Sequence, residues 1–248
     1  MNQYVITTDI NSDLPREILD RFGIKTMALH YTIDDKQYRG DTDEITPEQF
    51  YDEMRAGKSP QTMQVNPAQA MEVFEACFRE GFDVLHIGFS SALSGSVGSA
   101  AFAAKEAMEK YPGRKAVVID SLCASLGQGL LIYKAALLRE EGKSLEETAA
   151  WAEANKLKVC HYFTVDDLVY LQRGGRVSKT AAFFGTMLNI KPVLHVNDEG
   201  KLIPLYKTRG RKQSLNALVE NMKSHMGSEP NDIFFISHGD CIEDANYV

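Results

Sequence analysis

The residues best suited to chemistry lie in Gly88-Phe89-Ser90-Ser91-Ala92-Leu93-Ser94-Gly95-Ser96. The segment runs from an apolar, β-branched stretch into a helix-forming one. It is therefore expected to join the carboxyl end of a strand to the start of a helix. Ligands of open α/β sheets bind at such ends. A helix start offers backbone N–H groups without intrahelical partners and a partial positive charge. With the Ser94 and Ser96 hydroxyls beside it, this start suits a carboxylate or a phosphate. Serines also cap helices, and one suffices for that, so both readings stand at this point. The same run spells Gly-x-Ser-x-Ala around Ser90, close to the nucleophile elbow of serine hydrolases. His238 and Asp120 are the available partners for such a nucleophile.

Other segments carry weaker signals. Ser59-Pro60-Gln61-Thr62-Met63-Gln64 reads as a polar loop, and Thr62 has a hydroxyl to add to the same anion site. Arg173-Gly174-Gly175-Arg176 is a tight turn between two cations, suited either to gripping an anionic ligand or to ending a helix in solvent. Lys201–Lys212 holds Lys201, Lys207, Arg209, Arg211 and Lys212 with no acid, while Asp34–Glu53 is rich in Asp and Glu and reads as a solvated face. Cys77, Cys123, Cys160 and Cys241 form no C-x-x-C pair, and the histidines lack H-x-x-x-H spacing. No metal is expected, and the thiols read as reduced. No nucleotide cofactor is expected either, since G-x-x-x-x-G-K-[ST] and G-x-G-x-x-G are both missing. Gly127-Gln128-Gly129 falls inside a helical stretch and reads as a site of close packing.

These residues need a scaffold, and the hydrophobic pattern predicts one. Tyr4–Thr8, Ile24–Thr32, Val84–Phe89 and Ala116–Ile119 read as strands. They alternate with helices over Pro15–Phe22, Val97–Tyr111 and Leu126–Arg139. Capping boxes begin further helices at Thr46-Pro47-Glu48-Gln49, Asn66-Pro67-Ala68-Gln69 and Ser144-Leu145-Glu146-Glu147. This rhythm predicts a mostly parallel sheet with helices on both faces. After about residue 157 it changes. Val159–Val165 is strand-like, helices follow around Asp167–Gln172 and Thr180–Leu188, and Val193–Val196 with Lys201–Tyr206 read as a hairpin. A helix near Gln213–His225 and a strand Ile233–Ser237 complete the pattern. The expected organisation is an α/β domain over 1–157 and a smaller second α/β domain with mixed or antiparallel sheet over 158–248.

Composition bounds the function class. The chain has 248 residues, 44% apolar and 25% charged, and a formal charge of −7. It needs no disulfide or metal to fold at this length. The acidic balance, with a pI near 5.4, argues against a general binder of nucleic acid or anionic membrane. No apolar run approaches the ~18 residues of a membrane span, and the first residues do not form a signal peptide. The expected location is the cytoplasm.

Taken in order, the segments are similar to the DegV family of bacterial fatty-acid-binding proteins. The resemblance spans Thr7-Thr8-Asp9, Ser12-Asp13-Leu14-Pro15, Ser59–Gln64, Ser90–Ser96, Asp120-Ser121 and Gly127-Gln128-Gly129. It continues through Asp167–Ser178, Gly185, Leu188, Asn189-Ile190-Lys191-Pro192, Lys207–Arg211 and His238-Gly239-Asp240. It implies a Rossmann-like first domain and a long-chain fatty acid in a tunnel between two domains. Thr62, Ser94 and the Gly95 and Ser96 amides would hold the carboxylate. Phe163, Phe183, Phe184, Met187 and Ile190 are candidate tunnel walls or ordinary core. Some relatives present the bound fatty acid to a separate kinase, so Arg173, Arg176 and Arg209 would serve an acidic partner or the acyl phosphate, and the chain would supply no catalytic group. The first domain also resembles dihydroxyacetone-kinase subunits, which offers phosphotransfer as a further reading, against which the missing phosphate loop argues. Three departures stand out. The loop lacks the family's second serine, Ser96 replaces the usual threonine, and the sequence stops at Val248, before the family's further helix, strand and His-x-Gly-Pro-Gly segment. The resemblance therefore implies a second domain lacking its C-terminal end.

Overall fold

A computed structural model describes residues 3–42, 44–166, 168–178, 189–227 and 233–248. The chain divides into two units, Met1–Ile45 with Pro60–Val159 and Thr46–Ser59 with Cys160–Val248.

In the first unit the strands are β1 (Tyr4–Asp9), β2 (Lys25–Met27), β3 (His30–Ile33), β4 (Lys36–Arg39), β5 (Gln61–Met63), β6 (Asp83–Gly88) and β7 (Ala116–Asp120). A parallel sheet of order β2–β1–β6–β7 pairs Val5 with Val84, Ile6 with Leu85 and Thr7 with His86. Every residue of β1 and β6 is buried. A parallel sheet covered on both faces requires this, and it explains why both strands read as largely apolar runs rather than as an alternation of apolar and polar residues. The strand period of two sends Val5 and Val84 toward a cluster formed with Phe74, Cys77 and Phe78 of one helix and Ala100, Ala103, Ala104 and Ala107 of another. These helices lie at Pro67–Arg79 and Ser96–Lys110. The alternate residues face the other way. The Tyr4 hydroxyl lies 2.8 Å from Thr148 Oγ1, and Gln128 Nε2 donates to Thr8 Oγ1 at 2.9 Å. Thr148 and Gln128 belong to helices Leu145–Asn155 and Ser125–Glu140, on the opposite face. The mixed α/β class predicted from the rhythm is the observed one. Reciprocal capping boxes form at Thr46, Asn66 and Ser144, as predicted.

Two local expectations need correction. Ile24–Thr32 is not one strand. β2 pairs in the parallel sheet, and β3 leaves it for an antiparallel sheet of order β4–β3–β5. Between them the Leu29 carbonyl accepts the Gly40 N–H (2.8 Å). Apolar content signals burial but not which ladder a residue joins. Residues 61–63, expected in a loop, form β5, whose exposed polar residues read as loop because it is a short edge strand.

The second unit has an antiparallel sheet of β8 (Tyr162–Thr164), β9 (Ile190–Val196) and β10 (Leu202–Arg209), ordered β10–β9–β8. The predicted hairpin is present and longer than expected. Asn197 Oδ1 accepts the Glu199 and Lys201 N–H groups in its turn, and Gly200 takes a positive φ of 75°. Helix Arg211–His225 packs on all three strands. Leu168, Val177 and Leu194 form the core, with Phe163, Val165, Leu171 and Leu202 against it. Ile233–Ser237 forms no strand, and Phe234 and Ile236 are 65% and 43% exposed. Strand-forming residue types express a preference that a neighbouring ladder must complete. The expected helix Thr180–Leu188, with Phe183, Phe184 and Met187, lies outside the described residues.

Candidate functional site

Three parallel strands end together in the first unit, and the turns that leave them are tied by side chains. Asp9, the last residue of β1, is fully buried. Its Oδ1 accepts the Asn11 N–H (3.2 Å) and its Oδ2 the Phe89 N–H (2.8 Å). Asp120 ends β7, and its Oδ1 accepts the N–H groups of Ser91 and Leu122, both at 3.1 Å. Gln128 bridges the Thr8 hydroxyl and the Ile87 carbonyl (3.2 Å) from the helix above. The turn after β6 is thus anchored at Phe89 and Ser91. The Ser90 carbonyl then accepts the Leu93 and Ser94 N–H groups, at 3.0 and 3.1 Å.

That turn delivers Ser94, Gly95 and Ser96 to the start of helix Ser96–Lys110. The N-cap position is Gly95, which has no side chain to cap with. Ser94 Oγ instead accepts the Ser96 N–H (3.3 Å) and lies 2.9 Å from Ser96 Oγ. Ser96 is buried, and its hydroxyl accepts the Val65 N–H at 3.1 Å. This bond docks the segment after β5 onto the turn. Beside it, the Gln64 carboxamide fills the space a Cβ on Gly95 would need. Its Nε2 reaches Ser99 Oγ at 3.5 Å. Thr62, two residues before Gln64, is exposed on β5 opposite Tyr31. The structure therefore links the Thr62 strand to the Ser94–Ser96 turn through Gln64 and Val65. Sequence reasoning missed both residues, because neither type advertises an anion site.

Electrostatics follow from burial. It raises Asp9 from 3.8 to about 6, against the pull of the Phe89, Gln128 and Asn11 hydrogen bonds. It pushes the Cys123 thiol up to about 12, which leaves that cysteine inert as a nucleophile. Ser90, the candidate elbow nucleophile, is fully buried and its Oγ accepts the Ala92 N–H (3.2 Å). The Gly127-Gln128-Gly129 reading holds for Gly129, where a Cβ would lie 2.7 Å from the Ser12 carbonyl oxygen. Among the described residues no cluster of three His, Cys, Asp or Glu suits a metal.

In the second unit, Phe163 sits half-buried against the Leu168–Val177–Leu194 core. Arg173 ends helix Val169–Arg173, exposed, with its guanidinium carbon 5.4 Å from the Tyr170 ring. Arg176 donates to the Gly174 carbonyl (2.6 Å) across the turn in which Gly175 takes a positive φ of 76°. Arg209 is exposed at the end of β10, opposite Ile190. The basic run is partly neutralised. Lys201 pairs with Glu199 (2.6 Å) and Arg211 with Asp244 (2.7 Å).

Comparison with known proteins places this geometry in context. A family model described as uncharacterised protein, DegV family, matches residues 3–248. A DegV domain-containing protein of Clostridium perfringens is 44% identical over 246 residues, covering 99% of this chain and 84% of that protein. A solved stearic acid-binding protein from Eubacterium ventriosum is similar with a TM-score of 0.83 at 29% identity, over 90% of this chain and 76% of its own. A DegV family protein from Thermus thermophilus, solved for its fatty acid binding, gives 0.78 at 34% identity, over 91% and 78%. No described helix is long and apolar enough to cross a membrane.

Proposed function

Because the chain belongs to the DegV family, we propose that it binds a single long-chain fatty acid. The observation that carries this reading is the Ser94-Gly95-Ser96 turn at a helix start, docked on Val65 beside the Thr62 strand. Thr62, Ser94 and the Gly95 and Ser96 amides are the carboxylate's ligands. Hydrogen bonds to a charged group contribute about 1.5–3 kcal/mol each. The acyl chain adds about 0.8 kcal/mol per buried CH₂. It takes the apolar tunnel that the family resemblance implies. The fatty acids bound by the Eubacterium and Thermus proteins support the assignment.

In this reading the chain assigns no catalytic group of its own. It is a carrier that presents its fatty acid to a separate fatty acid kinase, and Arg173, Arg176 and Arg209 serve that encounter or the acyl phosphate. The buried Ser90 favours no hydrolase reading. Denaturing mass spectrometry of protein purified from bacteria is expected to release a co-purified fatty acid, and delipidated protein to take up palmitate or oleate. Protein that carries no lipid and binds neither acid overturns the proposal.

A further inference from the structure

The turn that receives the carboxylate is itself held by a carboxyl group with an unusual setting. Asp9 is fully buried and, among the described residues, pairs with no cation. The titratable groups on the elements around it are engaged elsewhere. His86 on β6 faces the Thr7 hydroxyl, Asp13 after β1 accepts from the Ser125 hydroxyl, and Asp120 after β7 accepts from Ser91 and Leu122. Among the described residues, N–H dipoles balance Asp9: Asn11 on Oδ1, Phe89 on Oδ2, Gln128 Nε2 at 3.5 Å from Oδ1, and its own backbone N–H. Burying a carboxyl without a cation is costly. A simple tie between two loops needs one acceptor. Ionisation supplies two equivalent acceptors at once, one for each loop. Although burial lifts Asp9 to about 6, it remains ionised at neutral pH.

We propose that Asp9 is a positioning residue for head-group recognition: its ionised carboxylate fixes Phe89, and through the Ser90 turn holds Ser94-Gly95-Ser96 in the orientation that receives a fatty-acid carboxylate. This rests on the fatty-acid reading above. Asparagine at this position keeps one acceptor and turns an NH₂ toward the other N–H donor, so one tether is lost. Asp120 uses a single oxygen for both of its bonds, so Asp120→Asn loses less.

The test is calorimetric titration of the delipidated full chain at pH 7.5 with palmitate and with 1-hexadecanol, which has the same chain length but no carboxylate. Asp9→Asn is expected to lose about tenfold in palmitate affinity, the size of one hydrogen bond to a charged group. Its hexadecanol affinity should change less than about twofold on the same scale, so the palmitate preference collapses. If Asp9→Asn does not fold, Asp9→Glu keeps the buried charge while displacing the turn, and must lower the same preference. A variant that keeps the wild-type preference, or loses both ligands equally, overturns the role of Asp9. Wild-type protein that binds neither ligand overturns the fatty-acid reading and this inference with it.

Discussion

His86 is a neutral ring in a fully buried place, 3.0 Å from Thr7 Oγ1 and edge-on to Phe74 at 5.8 Å between centroids. Burial pushes it down from 6.5 to about 3. Between those values the folded chain binds fewer protons than the unfolded one. The stability that the neutral ring contributes is therefore present above pH 6.5 and is lost as the pH falls toward 3. Asp9 runs the other way, from 3.8 to about 6. Its contribution is complete below 3.8 and is lost as the pH rises through about 6. The two slopes oppose each other over roughly pH 4–6. Substituting His86→Gln leaves Asp9 unopposed there. Urea unfolding should then show the variant gaining on the wild type by about 1.4 kcal/mol per unit as the pH falls. A constant offset between the two proteins across that range would refute the assignment. At this scale the sequence reveals the hydroxyls proposed to meet a ligand and conceals the groups behind them. Thr62 and Ser94 are legible because hydroxyls beside a strand-to-helix turn have an obvious use. Gln64, Val65 and the tethering roles of Asp9 and Asp120 depend on backbone N–H partners far away in sequence, which no local pattern encodes.

At the scale of elements, legibility tracks how local the determining interaction is. The capping boxes at Thr46, Asn66 and Ser144 are closed within four residues, and each formed as expected. The hairpin turn at Asn197–Lys201 is equally local. The division of Ile24–Thr32 between two sheets, and the irregular course of Ile233–Ser237, are decided by what lies alongside. Gly129 shows one element constraining another. It stands on the helix Ser125–Glu140 where the turn after β1 crosses it, and an added methyl would press on the Ser12 backbone oxygen at 2.7 Å and on Leu14 and Leu126 at 3.1 Å. Backbone cannot swing aside as a side chain can. Gly129→Ala should destabilise the protein by about 1–3 kcal/mol despite alanine's better helix propensity. Denaturation that shows the variant equal to or more stable than the wild type would mean that the helix and turn separate at little cost.

At the scale of the whole molecule, composition argued against classes of partner more readily than it named one. The net charge of −7 hid a basic run, and the structure shows that run partly answered by Glu199 and Asp244. The proposed anion site lies in a unit with its own apolar core, which makes ligand binding measurable as stability. A ligand that binds only the folded chain, at a hundred times its Kd, stabilises it by about 2.7 kcal/mol. For a protein of this size that is a rise of about 5–10 °C in the unfolding midpoint. Calorimetry with palmitate should show this rise in the transition of the unit that carries Thr62 and Ser94. The double substitution Thr62→Ala with Ser94→Ala removes two charge-assisted bonds, each worth about 1.5–3 kcal/mol. Affinity should fall at least about a hundredfold, and at the same palmitate concentration nearly all of the thermal shift should vanish. Without palmitate the variant should lose only what the Ser94 bond to the Ser96 N–H contributes at the helix start, about 0.5–2 kcal/mol, because Thr62 is exposed. A double variant that keeps the full palmitate shift would place the carboxylate elsewhere in the protein.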